Sequence, residues 1–439
     1  MTGGEIGIGL LGVGTVGGGV LKIYGQHRAD LEARAGCALR IVAAVTRDVT
    51  APRAGLAIGD WPLTTDPERV LADPAISLVI EVIGGLEPAR TFVRRALEAG
   101  KHVVTANKAL LATHGGELFD AARRRGVLLG FEAAVAGGVP IIGALRDGLA
   151  ANRILSLYGI LNGTANFILT KMTDEGGDFD AALQEAQAAG YAEADPTLDV
   201  EGIDSAHKLQ ILASLAFRTQ IELKDIHTEG IARLEPIEIA YARELGYRVK
   251  LLAIAKAANG LLEARVHPTL IPAASPLAAV SGVFNAIFVT GDAAGHQMFY
   301  GRGAGQMPTA SAVWSDAIEI ARRIAHRHAT LPEDFPLGGA RRLRIQPMAD
   351  VRSGYYLRVT AQDRPGVLSQ VAGILGRYDI SIATVIQKGR GGAAAVPVVM
   401  MTHDAVERNL RAALAEIDRL AVVAAPTVLL RVEAQEATS

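Results

Sequence analysis

Residues 190–209 read GYAEADPTLDVEGIDSAHKL, which gathers Glu193, Asp195, Asp199, Glu201 and Asp204 with a single lysine, Lys208, ahead of an apolar run. Asp204 and Lys208 stand four positions apart, so a helix over 200–218 places them on one face, one turn apart. Downstream, Leu209, Ile211, Leu212, Leu215 and Phe217 leave that helix almost no wet side, and a helix apolar all round is a buried one. Burying a lysine and several carboxylates costs several kcal/mol per ion unless they pair. The chemistry this suits is proton transfer beside a small polar substrate. An ordinary exposed ion pair, worth about 0.3–0.5 kcal/mol, is the alternative. A second lysine, Lys108, follows Thr105-Ala106-Asn107 at the end of an expected strand, where its ammonium can reach a ligand or lie exposed.

Such groups need a scaffold, and residues 1–150 supply the pattern of one. Apolar runs at 6–11, 40–46, 78–83, 102–105 and 127–131 alternate with amphipathic stretches, as in a parallel sheet covered by helices on both faces. Pro88 and Gly100 bracket one of those helices. Directly after the first strand comes Gly12-Val13-Gly14-Thr15-Val16-Gly17, a G-x-G-x-x-G turn that opens the next helix. Its glycines permit the tight turn, let backbone approach a pyrophosphate, and seat the helix close to the strand. The second strand ends Thr46-Arg47-Asp48. An acidic residue there favours a free ribose 2′-hydroxyl and an arginine a 2′-phosphate, so NADP and NAD both stay open, with Arg47 favouring NADP. Ligands of open α/β sheets lie beyond the carboxyl ends of the strands, which brings Gly84, Gly85 and Thr105 toward a nicotinamide.

From 151 to 309 the texture is α+β, with strands expected at 154–161, 261–270 and 282–290 and helices at 181–189, 200–218 and 247–258. A helix at 310–328 is expected to return to the first domain, and 329–350 has the polar, proline-containing character of a linker. Residues 351–439 give strand 356–361, helix 366–377, strands 380–388 and 395–402, helix 405–418 and strand 422–432. That βαββαβ order is ferredoxin-like. The fold class is therefore α/β: a Rossmann dinucleotide-binding domain, an α+β domain, and a small ferredoxin-like domain.

Charge and cysteine narrow the function classes. Lysine plus arginine (44) nearly balance aspartate plus glutamate (46) with no basic run, which argues against nucleic acid and anionic membrane as partners. The single cysteine, Cys37, leaves no internal disulfide or thiolate cluster. The start of the chain lacks signal-peptide regions, and no apolar run has the length of a membrane span. A cytoplasmic protein is expected. Histidines such as His102, His114 and His207 lack transition-metal spacing.

These segments resemble the homoserine dehydrogenase family over essentially the whole chain: GLLGVGTVGGGV at 9–20, EVIGG at 81–85, VVTANKALLA at 103–112, FEAAVAGGVPII at 131–142, LNGTANFIL at 161–169, the 190–209 segment, NAI at 285–287 and YGRGAGQMPTASAV at 300–313. The resemblance implies reversible hydride transfer between NAD(P)H and L-aspartate 4-semialdehyde, giving L-homoserine on the way to threonine, methionine and isoleucine. It implies Lys208 as the acid/base group, with Lys108 and Asp204 beside it. Glu193, Asp199, Gly163 and Thr164 fall to the substrate, although Asn162 and Thr164 are also good helix-capping types. Glu132 with the carbonyls of Val135, Gly137 and Val139 resembles the family's monovalent cation loop, for Na⁺. Gly303 and Gly305 resemble the segment that closes over the cofactor, where the family more often has proline at the position of Arg302. The tail resembles an ACT domain, with Asp363-Arg364-Pro365-Gly366-Val367-Leu368 as its strand-to-helix turn. Threonine is then the expected effector at Asp363, Pro365, Gly366, Val367 and Leu368, and a homodimer or homotetramer the expected assembly. A catalytically silent nucleotide sensor is the reading from another function class.

Overall fold

Strand β1 (Ile6–Leu11) is six buried residues that end at the glycine turn, and helix α1 (Thr15–Ala35) follows at once. The chain continues through β2 (Leu39–Val45), β3 (Leu63–Thr64), β4 (Ile76–Glu81), α2 (Ala89–Glu98), β5 (His102–Thr105), α3 (Lys108–Arg125) and β6 (Leu129–Gly130). All six strands run parallel in the order β3-β2-β1-β4-β5-β6, with connections leaving β1 in opposite directions toward β2 and β4. That reversal opens a crevice at the carboxyl ends of β1 and β4, where a doubly wound sheet binds its ligand. The computed structural model describes residues 4–51, 60–326, 343–388 and 395–433.

Two units group by internal contacts: Met1–Leu161, Asp204–Lys224 and Phe284–Leu343 form one, and Asn162–Ile203, Asp225–Val283 and Arg344–Ser439 the other. The chain therefore passes between them several times. After β7 (Ile154–Ile160) come α4 (Gly163–Glu175) in the second unit and α5 (Ile203–Phe217), which belongs to the first unit from Asp204 on. The second unit then holds β8 (Tyr247–Ala258) and β9 (Leu261–Pro272). The first regains β10 (Phe284–Gly291), β11 (Gly295–Arg302) and α6 (Gln306–Ala325).

In the first unit, α6 lies against α1. Val313, Trp314, Ala317 and Ile320 join Val20, Leu21 and Tyr24 in one apolar cluster. Trp314 stacks on Tyr24 at 5.7 Å and donates its indole N–H to the Val20 carbonyl at 2.9 Å. Gly19 allows the close approach, because a Cβ there would sit 2.6 Å from the Gln306 carbonyl oxygen.

Two expectations are corrected. Residues 247–258 form no helix. They are β8, paired with β9 along the whole antiparallel register from Leu261↔Ala258 to Pro272↔Tyr247. Alanine, leucine and lysine favour a helix in isolation, and burial across the strand overrides that preference. The helix expected over 200–218 is divided: Gly202, at φ 79°, separates a short turn, Thr197–Val200, from α5.

The second unit ends in β12 (Arg352–Gln362), α7 (Val367–Arg377), β13 (Ile382–Gln387), β14 (Ala395–Thr402), α8 (Glu407–Ile417) and β15 (Val423–Val432). The sheet order β15-β12-β14-β13 is antiparallel and ferredoxin-like, with α7 and α8 packed on Tyr355, Leu357, Val359, Val398 and Met400. β15 also pairs with β9 in parallel, Thr269↔Arg431. Most of the expected linker at 329–350, and residues 389–394, lie outside the described residues. The described end of that linker is ordered: Arg344–Ile345 adds a short parallel strand to β9.

Candidate active site

The glycine turn is built as its sequence requires. Gly12 sits at φ 102°, and a Cβ there would meet the Val82 carbonyl oxygen at 2.8 Å. A Cβ on Gly17 would run into the Gly12 carbonyl, whereas the face of Gly14 is open. No side chain caps α1 at Gly14, so the first amides of the helix remain for an anion. A cavity of about 870 Å³ lies over this turn, bounded by Gly12, Val13, Gly14, Thr15, Arg47, Gly84 and others. Gln306 and Phe92 line it too, which the sequence did not single out. Val16, Gly17, Gly85, Thr105, Lys108, Gly303 and Gly305 are not part of its wall. Asp48 turns back on its own loop, its Oδ1 accepting from the Thr50 amide (2.8 Å) and hydroxyl (2.7 Å). Arg47 enters no ion pair among the described residues. The donors and the open glycine face fit a dinucleotide.

The expected Thr105 contact takes another form. Thr105 is fully buried and donates its hydroxyl to Glu81 Oε2 at 2.5 Å. Glu81 Oε1 accepts from the Ile83 amide at 2.8 Å, so the pair shapes the turn beside the cleft. Burial pushes the Glu81 carboxyl up, against the Thr105 hydroxyl and the Ile83 and Gly84 amides, which pull it down.

The acid/base candidates come together in the first unit. Asp204 Oδ2 lies 2.7 Å from Lys208 Nζ and Oδ1 lies 2.8 Å from Lys108 Nζ. Lys208 Nζ also donates to the Leu161 carbonyl at 2.6 Å. Asp204 is 5% and Lys208 8% exposed. Burial alone would raise the Asp204 carboxyl, but the Lys208 and Lys108 ammonium groups outweigh it and hold the carboxyl well below the usual range. The cluster thus keeps two cations around one anion, an excess of positive charge suited to a developing alkoxide. Gln210, unmarked in the sequence, steadies the arrangement by donating Nε2 to the Ala112 carbonyl of α3 and to Ile221 O, each at 2.9 Å. Burial lowers His207.

The expected substrate residues belong to the second unit. Asn162 caps α4, accepting from the Ala165 amide at 2.7 Å, and donates Nδ2 to Asp199 Oδ1 at 2.7 Å. Thr164 donates its hydroxyl to the Tyr191 carbonyl at 2.6 Å. A Cβ on Gly163 would sit 2.8 Å from the Val283 carbonyl oxygen. Glu193 is exposed. Asn162 and Asp199 form the polar pair here, and Glu193 does not join them.

Around the expected cation loop, the Glu132 carboxylate accepts from the Ile142 (2.9 Å) and Gly143 (2.7 Å) amides, and the Glu132 amide donates to Asp316 Oδ2 at 2.7 Å. Val139 O accepts from the Ile141 amide. Ala136 and Gly137 are left-handed, at φ 53° and 34°. Gly303 fits between Gly137 and Asn285, with no room for a Cβ. Arg302 lies over the Phe284 ring at 5.8 Å, a packing role the sequence did not suggest. Gly305, at φ 125°, precedes α6.

In the ferredoxin-like part, Asp363 Oδ1 accepts from Gln387 at 3.2 Å. Gly366, at φ 88°, starts α7 without a side-chain cap, and Pro365 and Leu368 are exposed while Val367 is buried. No helix among the described residues is long and apolar enough to cross a membrane.

Comparison with known families matches residues 12–132 to "Homoserine dehydrogenase, NAD binding domain", 140–318 to "Homoserine dehydrogenase" and 355–422 to "ACT domain". A homoserine dehydrogenase of Neisseria gonorrhoeae is 45% identical over 432 residues, 98% of each chain. The crystal structure of a homoserine dehydrogenase from Thiobacillus denitrificans superposes with a TM-score of 0.93 at 48% identity, covering 99% of this chain and 100% of that one. A hyperthermophilic archaeal homoserine dehydrogenase in complex with NADPH has a TM-score of 0.61 at 26% identity, over 72% of this chain and 97% of its own.

Proposed function

The chain belongs to the homoserine dehydrogenase family of oxidoreductases, and from that premise we propose a mechanism in which Lys208 moves the proton while L-homoserine and L-aspartate 4-semialdehyde interconvert. The observation that carries this reading is the buried Asp204 carboxylate gripped by Lys208 and Lys108. In the reducing direction the aldehyde oxygen gains negative charge, and the Lys208 ammonium protonates it; in the oxidising direction Lys208 takes the proton back from the hydroxyl. Lys108 stabilises the same oxygen, and Asp204 keeps both lysines in place. Asp199, with Asn162, Gly163 and Thr164, is assigned to the substrate's amino and carboxylate groups, and Glu193 to the same end from its exposed position.

NADP is the proposed cofactor, supported by Arg47, while Asp48 is engaged by Thr50. The nicotinamide, when bound, supplies or accepts the hydride. The glycine turn and the first amides of α1 would hold its pyrophosphate, with Gly84, Gly85, Gly303 and Gly305 framing the rest. Na⁺ is proposed at the carbonyls of Val135, Gly137 and Val139, since hard cations take oxygen ligands. The Glu132 carboxylate, already bonded to two amides, is proposed to join those carbonyls in holding the ion. For the ACT domain we propose L-threonine as effector at the Asp363–Leu368 turn, and an assembly of two or four chains. The mostly exposed edge strand β13 supports pairing. The proposed division is 1–150 with α6 returning to it, 151–309, a linker at 329–350, and 351–439. The pathway is that of threonine, methionine and isoleucine, in the cytoplasm.

The test is direct. Purified protein is given L-homoserine with NADP or NAD, with and without L-threonine, and absorbance is followed. Cofactor reduction supports the reading; silence with both cofactors from folded protein overturns it.

A further inference from the structure

Asn107 uses both ends of its amide. It is 6% exposed, its Oδ1 accepts from the Leu110 amide at 3.1 Å, and its Nδ2 donates to the Gly85 carbonyl at 2.7 Å. The orientation is forced, because the opposite flip would set oxygen against the Gly85 carbonyl and NH₂ against the Leu110 amide. One end therefore caps α3, whose first residue is Lys108, and the other holds the turn that follows β4. The Asn107 amide also donates to Thr105 Oγ1 at 3.0 Å, which continues through Glu81 to the Ile83 and Gly84 amides. Ile83 and Gly84 line the dinucleotide cleft. Gly84 and Gly85 are both left-handed, at φ 82° and 71°, so the turn has little stiffness of its own. Its shape comes from Glu81 at one end and Asn107 at the other.

We propose that Asn107 is a positioning residue that couples occupancy of the dinucleotide cleft to the placement of Lys108. The proposal rests on the reading of that cleft as the cofactor site and of Lys108 as part of the acid/base cluster. A cofactor against Ile83 and Gly84 orders the glycine turn; Gly85 O fixes Nδ2 of Asn107, and Oδ1 fixes the first turn of α3. Lys108, ordered there, meets Asp204 in one place. Two ligands that each order the same segment bind more tightly together than apart, without any large movement.

The unreactive pair NADPH and L-homoserine allows an equilibrium test by calorimetry. In the native protein, homoserine is expected to bind at least about fivefold more tightly when NADPH is saturating. Asn107→Ser keeps a good helix cap but cannot reach Gly85. It is expected to melt close to the native temperature, above Asn107→Ala, and to bind NADPH alone normally, while the ratio of the two homoserine affinities falls toward one. Asn107→Ala, which loses the cap as well, should melt lower and show the same fall. An unchanged ratio in Asn107→Ser, or a native ratio of one, overturns the proposal. Failure of homoserine to bind native protein in either state would instead overturn the functional reading beneath it.

Discussion

Asp204 and Lys208 lie one helical turn apart on α5 with Oδ2 and Nζ separated by 2.7 Å, both buried. Lys108 approaches the other carboxylate oxygen, so removing the anion leaves two ammonium groups facing each other. Breaking a buried pair typically costs 3–5 kcal/mol, roughly that range being expected for Asp204→Asn by thermal or urea unfolding. The pH dependence has a definite sign. The folded carboxyl is held below its unfolded value of about 3.9, so its stabilisation is full above that pH and is lost as pH falls through the folded value. Native protein should therefore lose this contribution only below about pH 4, and Asp204→Asn should lack it throughout.

Lys208 and Lys108 differ in setting. Lys208 is buried and anchored by both Asp204 and the Leu161 carbonyl, whereas the Lys108 side chain is 42% exposed. Lys208→Ala should lower turnover on the order of 10²–10⁴-fold with NADPH affinity retained. Lys108→Ala should lower turnover less than Lys208→Ala does, with the effect in kcat rather than in the KM for homoserine. Equal turnover for native protein and Lys208→Ala would remove Lys208 from the chemistry.

Arg47 lies on the cleft wall while Asp48 is committed to Thr50. If Arg47 meets a 2′-phosphate, Arg47→Ala loses a charged hydrogen bond worth roughly 1.5–3 kcal/mol. The KM for NADP should rise about tenfold or more, and that for NAD should change little. Equal effects on both cofactors would assign Arg47 elsewhere.

What the sequence disclosed follows from how local each signal is. The parallel strands were legible because burial on both faces makes them continuously apolar, and the glycine turn because only glycine tolerates Gly12 at φ 102° against Val82. Asp204 and Lys208 were legible through helical spacing. β8 was not, since Leu251, Ala253 and Ala255 suit a helix until β9 lies alongside. The meeting of Lys108 with Asp204, the turning of Thr105 toward Glu81, and the reach of Gln210 to Ala112 are long-range contacts with no periodic trace.

Asp316 is buried, and that burial pushes its carboxyl up to about 7 even though it accepts the Glu132 amide. A folded value above the unfolded one means that the proton is held more tightly in the native state. Stability from this group is thus complete below about pH 4 and is lost as pH rises through about 7. Asp316→Asn keeps an acceptor for the Glu132 amide and cannot ionise, so the melting temperature should fall less steeply between those limits. A residual slope is expected because burial raises Glu132 in the same direction.

Removing the chain after Asp350 would be the simple way to test whether the ACT domain carries threonine sensitivity, but the charges of the second unit argue for a finer cut. Arg431 of β15 is buried between Glu229 (2.9 Å) and Glu407 (2.7 Å), and Arg265 of β9 pairs with Glu433. Truncation would strip Arg265 of Glu433 and Glu229 of Arg431, and would uncover the edge of β9 that pairs with β15. Uncompensated buried charge costs several kcal/mol, so the truncated chain should melt well below the native protein. Asp363→Ala leaves that network untouched and removes only the carboxylate bonded to Gln387. Turnover without threonine should stay near native while the threonine concentration for half inhibition rises at least about tenfold, the equivalent of 1.4 kcal/mol. If Asp363→Ala is inhibited as native protein is, threonine does not act at this turn.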